Sequence, residues 1–156
     1  MVLSRSLGPV YSNIPLRPEL GLPAPPGAHV CLDLGEEEYT RGRPHPMIDP
    51  SARREIMREQ AGGGEVAVVL LDVVLGHGSH PDPAGEIAAT CADLVARGTA
   101  VVAYVLGTHA DPQDFDAQRR TLREAGAIVT ETSAHAARVA AAISAGRPDL
   151  AAASPA

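Results

Sequence analysis

Three histidines in this chain each stand shortly before an Asp-Pro pair: His45 before Asp49-Pro50, His80 before Asp82-Pro83 and His109 before Asp111-Pro112. An imidazole beside a ligand can move a proton or orient a reacting group near neutral pH. The first of these loops also carries Arg41 and Arg43, whose planar guanidinium groups grip phosphate or carboxylate oxygens. The second, Gly76-His77-Gly78-Ser79-His80-Pro81-Asp82, places two glycines where backbone N–H groups can approach a ligand without a side chain in the way. The third, Gly107-Thr108-His109-Ala110-Asp111, offers the Thr108 hydroxyl and further N–H groups. The expected chemistry is therefore anion handling: Arg41, Arg43, Gly76, Gly78, Ser79 and Thr108 as binding groups, and His45 or His80 as the proton-transferring or orienting group.

Other chemistries fit the same residues poorly. Ser79, His80 and Asp82 are too close in sequence to form a nucleophilic triad by themselves, and the motif is not GxSxG. The glycine loop superficially resembles a dinucleotide fingerprint, but Pro81 replaces its third glycine and no acidic residue ends the next strand. The histidines show no HxH, HxxxH or cysteine-pair spacing, so no metal is assigned; His29 and His135 read as structural. All thirteen basic residues are arginine, which removes P-loop, Schiff-base and general-base lysines.

Each loop needs a strand before it and a helix after it. Asp accepts hydrogen bonds from the free N–H groups of a first helical turn, and Pro loses nothing at the first helical position. The pattern predicts a strand at 29–34 and a helix at 50–60 ended by Gly62-Gly63-Gly64. A long apolar strand at 66–75 and a helix from Pro83 to Arg97-Gly98 follow. The third unit is a strand at 99–106 with a helix from Pro112 to about Ala125, and a last strand at 127–130 leads to a helix at 133–145. The order βαβαβαβα implies a three-layer α/β/α domain with a parallel sheet of about four or five strands. In such a sheet the loops gather at the strand carboxyl ends, where ligands bind. Residues 1–28 hold six of the fourteen prolines and read as an extended arm or linker; 29–146 form the domain and 147–156 a flexible tail.

The chain has 156 residues, which suits one domain. Its apolar content is 45% with only 3% aromatic residues, so the core must be aliphatic. A net charge of -6 without a basic stripe argues against a nucleic-acid surface. No stretch approaches membrane-spanning length, and no signal core opens the chain. Cys31 and Cys91 read as buried free thiols, and the expected location is the cytoplasm.

The segments YSNIPLRPEL, LDLGEEEYTRGRPHPMIDPSARRE, LLDVVLGHGSHPDPA and VLGTHADPQ resemble the carboxy-terminal part of FdrA proteins over nearly the whole chain. More distantly, the chain is similar to the flavodoxin-like domain of the succinyl-CoA ligase beta chain. That resemblance implies a flavodoxin-like fold with strand order 2-1-3-4. It also implies that Gly76–Gly78 occupies the place of a glycine loop that receives a phosphohistidine from another part of the enzyme. It implies further a non-autonomous subunit of an acyl-CoA-ligase-like enzyme or carbamoyltransferase, handling an acyl- or carbamoyl-phosphate, with a link to oxamate or oxalurate in purine breakdown. No tightly bound cofactor is expected; phosphate or CoA would be shared with a CoA-binding partner subunit, or the chain would self-associate. The rival expectation is a noncatalytic module that docks such a subunit.

Overall fold

The computed structural model describes residues 1–61 and 65–152. Its centre is a parallel sheet of β3 (Val68–Val74), β4 (Ala100–Leu106) and β5 (Ile128–Thr130), adjacent in that order. β3 and β4 pair over their full length, from Val68 opposite Ala100 to Val74 opposite Leu106. One sheet face carries Leu71, Val73, Leu75, Val101, Ala103 and Val105. It packs on Ile87, Cys91 and Leu94 of α4 (Pro83–Ala96), on Leu122 of α5 (Phe115–Glu124) and on Met57 and Ala61 of α3 (Ser51–Ala61). The other face, with Val68, Leu70, Val102 and Tyr104, meets Ala136, Val139, Ala140 and Ile143 of α6 (Ser133–Ala145). The period-2 alternation of the strands thus feeds two helical layers, and the expected three-layer α/β/α class holds.

The strand order differs from 2-1-3-4. The segment expected as the first strand of the main sheet forms only His29–Cys31 (β2), and it pairs in parallel with Val10–Ser12 (β1) in a separate two-stranded sheet. Asn13 explains this diversion. Its side chain donates to the Asp33 carbonyl (2.8 Å) and accepts from the Asp33 N–H (2.9 Å), continuing the β1–β2 ladder with side-chain groups and ending the strand at the acid. β3 and β4, both richer in β-branched residues, are left to pair directly. Among the described residues, all five strands are parallel within their sheets.

Residues 1–28 are likewise not uniformly extended. They include α1 (Val2–Leu7), β1 and a short 3-10 turn at Pro18–Leu20. Leu3 of α1 packs on the α6 side of the core, so the arm folds against its own domain. At the other end, Asp149–Ala152 forms a short helix, α7. The expected Gly62-Gly63-Gly64 helix stop lies outside the described residues. No helix among the described residues is long and apolar enough to cross a membrane.

α3 is mainly polar and is fastened by arginines. Arg53 donates to both the carbonyl and the carboxylate of Asp72, the one acid inside the apolar β3 run. Arg54 makes the same double contact with the carbonyl and carboxylate of Glu86 in α4. The two cysteines differ. Cys91 is buried and free as expected, whereas Cys31 is free but exposed, because β2 lies outside the main core. Burial pushes the Cys91 thiol up to about 11 from its ordinary 9.0, a rise that Arg53 partly opposes. The folded chain therefore keeps this thiol neutral where the unfolded chain ionises it. The resulting stabilisation is complete below pH 9.0 and is lost as pH rises toward about 11. The melting temperature of Cys91→Ala should accordingly fall less steeply than that of the parent over this range, and a thiol reagent should modify Cys31 alone until the chain unfolds.

Candidate functional site

The loops after β3 and β4 meet at the carboxyl edge of the main sheet. The loop before α3 joins them through the His80 N–H, which donates to the Met47 carbonyl at 2.7 Å. The glycine loop begins where Leu75 donates to the Leu106 carbonyl (2.9 Å), so β3 and β4 are still paired at its base. Gly107 makes this close approach possible: a Cβ there would lie 2.8 Å from Leu75 Cβ. Gly76 (φ +133°) and Gly78 (φ +88°) turn the chain, with the Ser79 N–H closing back on the Gly76 carbonyl at 3.2 Å. Beside this turn lies an open cleft of about 240 Å³ lined by Gly76, His77, Gly78, Ser79, Pro81, Pro112 and Gln113.

The expected site residues divide into two groups around that cleft. Gly76, Gly78 and Ser79 line it. The Ser79 hydroxyl is covered and has no partner among the described residues. Arg41, Arg43, His45, His80 and Thr108 do not line it. Arg41 pairs with Glu37 one turn earlier at 2.8 Å, at the end of α2 (Glu37–Thr40), and Arg43 pairs with Glu55 of α3 at 3.5 Å. Thr108 is absorbed by its own turn: its N–H and hydroxyl both face the Asp111 carboxylate, at 2.6 and 3.2 Å. His109 leans on Asp116 (3.4 Å) and edge-on against Phe115.

His45 and His80 share one geometry. In each, Nδ1 accepts the N–H of the residue two positions on, Met47 at 3.2 Å and Asp82 at 3.1 Å, across an intervening proline. A ring nitrogen that accepts a hydrogen bond carries no proton, so the neutral form of both rings is protonated at Nε2. The Nε2 edge of His45 faces Gly35, where a Cβ would come within 2.6 Å of it. His80 lies beside Asp49. The Ser51 N–H and hydroxyl hold the Asp49 carboxyl below its usual range, with smaller contributions from Arg54 and His80. Among the described residues, no three His, Cys, Asp or Glu side chains are grouped to hold a metal ion.

Two of the three Asp-Pro helix starts are observed. Asp49 accepts from Ser51 N (2.9 Å) ahead of α3, and Asp82 from Gly85 N (3.0 Å) at α4. The third is displaced by one turn. Asp111 is spent on Thr108, and Asp114, in the left-handed region at φ 59°, caps α5 by accepting from Ala117 N at 3.0 Å.

Sequence reasoning missed the two residues that hold this edge together. Gln113 and Gln118 are 7% and 4% exposed. Gln118 Oε1 accepts from Ala84 N (2.8 Å), while its Nε2 donates to Asp82 Oδ1 (2.9 Å) and to the Gln113 carbonyl (3.2 Å). The Gln113 side chain in turn bonds both ends of the glycine loop. Gln118 belongs to no motif, its one signal being an inward position on the amphipathic α5; Gln113 ends the segment VLGTHADPQ, but in the turn before α5 nothing local marks its side chain as buried. The consequence for α4 is electrostatic: its first-turn donors Ala84 N and Gly85 N are already taken by Gln118 and Asp82, so the helix start is closed by the chain's own groups. Among the described residues, the N–H groups of His77 and Gly78 have no protein partner.

The CoA-ligase family model matches residues 24–143. The uncharacterized protein YahF of Escherichia coli (strain K12) is 41% identical over 134 residues, which is 81% of this chain and 26% of YahF. The chain thus spans about a quarter of the length of this curated relative.

The amide network carries a stability prediction. Gln118→Leu, which strands Ala84 N in the core, should cost about 2–3 kcal/mol, and Asp82→Ala about 1 kcal/mol, read from denaturant midpoints. The double variant should cost less than the sum, because the two residues share one hydrogen bond.

Proposed function

From the premise that this chain belongs to the CoA-ligase family, we propose that it handles an acyl- or carbamoyl-phosphate at the glycine loop, as a non-autonomous part of a ligase or carbamoyltransferase. The domain itself is of the acyl-CoA-ligase type. The single observation that carries the proposal is the turn Gly76–Ser79, which leaves the His77 and Gly78 N–H groups beside an open cleft. Backbone amides are fixed donors for a small oxyanion and need no reorganisation when charge develops on it. The cleft volume of about 240 Å³ lies below the usual range for drug-sized ligands, about 300–1,000 Å³. It therefore suits a phosphorylated acyl or carbamoyl group and leaves the bulk of CoA to a CoA-binding partner subunit.

His80, with its proton on Nε2, would donate to or orient the group from the end of the glycine loop, whereas His45, whose Nε2 edge faces Gly35, would serve only a group held at the first loop. Arg41 and Arg43 are held only by exposed ion pairs worth about 0–1 kcal/mol, so an arriving anion can recruit them at little cost. The FdrA resemblance supports oxamate or oxalurate carbamoyl transfer in purine breakdown as the specific reaction, within the cytoplasm. One observation favours the docking reading beside it. Met47 and Ile48, on the loop that binds His80, are 39% and 55% exposed, an apolar rim suited to a partner subunit.

The test is a titration of the full chain with phosphate, acetyl phosphate and carbamoyl phosphate, followed by the amide resonances of His77 and Gly78. These two should shift most, and Arg43→Ala should weaken binding by only about twofold. Movement confined to residues 41–49 would transfer the site to the first loop. No shift with any of the three, together with capture of a CoA-binding ligase subunit that Ile48→Asp abolishes, would favour the docking module.

A further inference from the structure

Gln113 lies in the loop between Pro112 and Asp114, yet its side chain is buried, and the reason is what its carboxamide touches. Oε1 accepts the Gly76 N–H at 3.1 Å, and Nε2 donates to the Gly76 carbonyl at 2.8 Å and to the His80 carbonyl at 3.3 Å. One neutral group therefore ties down the first and last residues of the loop Gly76–His80. Among the described residues, the stretch is otherwise held by the bond from Ser79 N to the Gly76 carbonyl and, at its end, by the His80 N–H on the Met47 carbonyl and the Asp82 N–H on His80 Nδ1. Gln113 also forms part of the cleft wall. Its own carbonyl is held by Gln118, which holds Asp82, so the loop is registered to the start of α4 through α5.

We infer that Gln113 is a positioning residue for the anion site: by occupying the Gly76 N–H and both carbonyls, it fixes the loop so that the His77 and Gly78 N–H groups face the cleft. This rests on the anion reading above and assigns the residue that shapes the site. The chemistry demands a carboxamide. A carboxylate at this position accepts the Gly76 N–H but cannot donate to the two carbonyls, and it adds a negative charge to the cleft wall. Protonated, the same group regains one donor and loses the charge.

Gln113→Glu and Gln113→Leu, compared with the parent chain, separate positioning from bulk stability. The readouts are hydrogen exchange at Gly76 N and affinity for sulfate, a dianion across the range used. At about pH 8, Gln113→Glu keeps an acceptor for the Gly76 N–H but loses both carbonyl ties, so loop opening should speed Gly76 exchange about tenfold and sulfate affinity should fall about tenfold. At about pH 5, where burial helps protonate the introduced acid, both should return most of the way to the parent values. Gln113→Leu should be impaired at both pH values. A role in stability alone gives no such recovery in binding. Equal sulfate binding by parent and Gln113→Glu at about pH 8, or unchanged Gly76 exchange in both variants, would overturn the inference while leaving the anion reading intact. A parent chain that binds no sulfate would overturn both, whatever Gly76 does.

Discussion

The loop edge of this domain depends on two buried carboxamides having every hydrogen-bonding group satisfied. Gln113 and Gln118 sit five residues apart, just before and within α5, and together they reach Gly76, His80, Asp82 and Ala84. A buried amide left unpaired costs more than a formed one gains, so such a network is either complete or a liability. Here it is complete, and its completeness converts three flexible connections into one surface. Packing of the apolar sheet faces sets α4 and α5 near one another; the amides decide where the loops between them lie.

That network also decides which donors remain for a ligand. A helix amino terminus is ordinarily an anion site because its first N–H groups are unsatisfied and its dipole is positive there. At α4 the Asp82 carboxylate already occupies that position, and Gln118 takes a neighbouring donor. The absence of a side chain at Gly85 lets Asp82 lie directly against its N–H. An anion competing there would have to displace a carboxylate tethered to the same chain. Among the described residues, the N–H groups of His77 and Gly78, ahead of α4 in the chain, face no such competitor.

The sequence was most legible where local chemistry and burial agreed. Asp82-Pro83 caps α4 with its own carboxylate, and Val101–Val105 is buried or half-buried on both faces of β4. It was least legible where a distant polar partner decided the outcome. Nothing near His29 reports that Asn13 will capture Asp33 and divert that strand, and nothing near Asp111 reports that Thr108 will consume it. Cys31 misled for the same reason, since its burial depended on which sheet the strand joined. The glycine loop was visible through its backbone requirements. Gln113 was not, because a glutamine in a turn looks like a solvated one until the fold folds it inward.

The wholly arginine basic set has a structural use that lysine could not fill. Arg53 bonds the carbonyl and the carboxylate of Asp72 through its two terminal nitrogens, a forked contact that a point-like ammonium cannot make, and Arg54 reaches the carbonyl and the carboxylate of Glu86 through Nη1 alone. These two residues fasten an otherwise polar α3 to β3 and to α4, and α3 in turn carries the loop that contacts His80. Arg119 similarly pairs with Glu131 and lies over the Phe115 ring, tying α5 to the turn after β5. The cations best placed by the fold are thus committed to holding its layers in register. The cleft wall is left with glycines, prolines, Ser79, His77 and Gln113, none of them a fixed cation. On the cleft wall itself charge recognition would then rest on oriented N–H dipoles, with arginines recruited only from beyond it, and dipoles recognise by position more than by charge. The precision with which α3 and α5 hold the glycine loop is therefore the same quantity as the selectivity the loop can have.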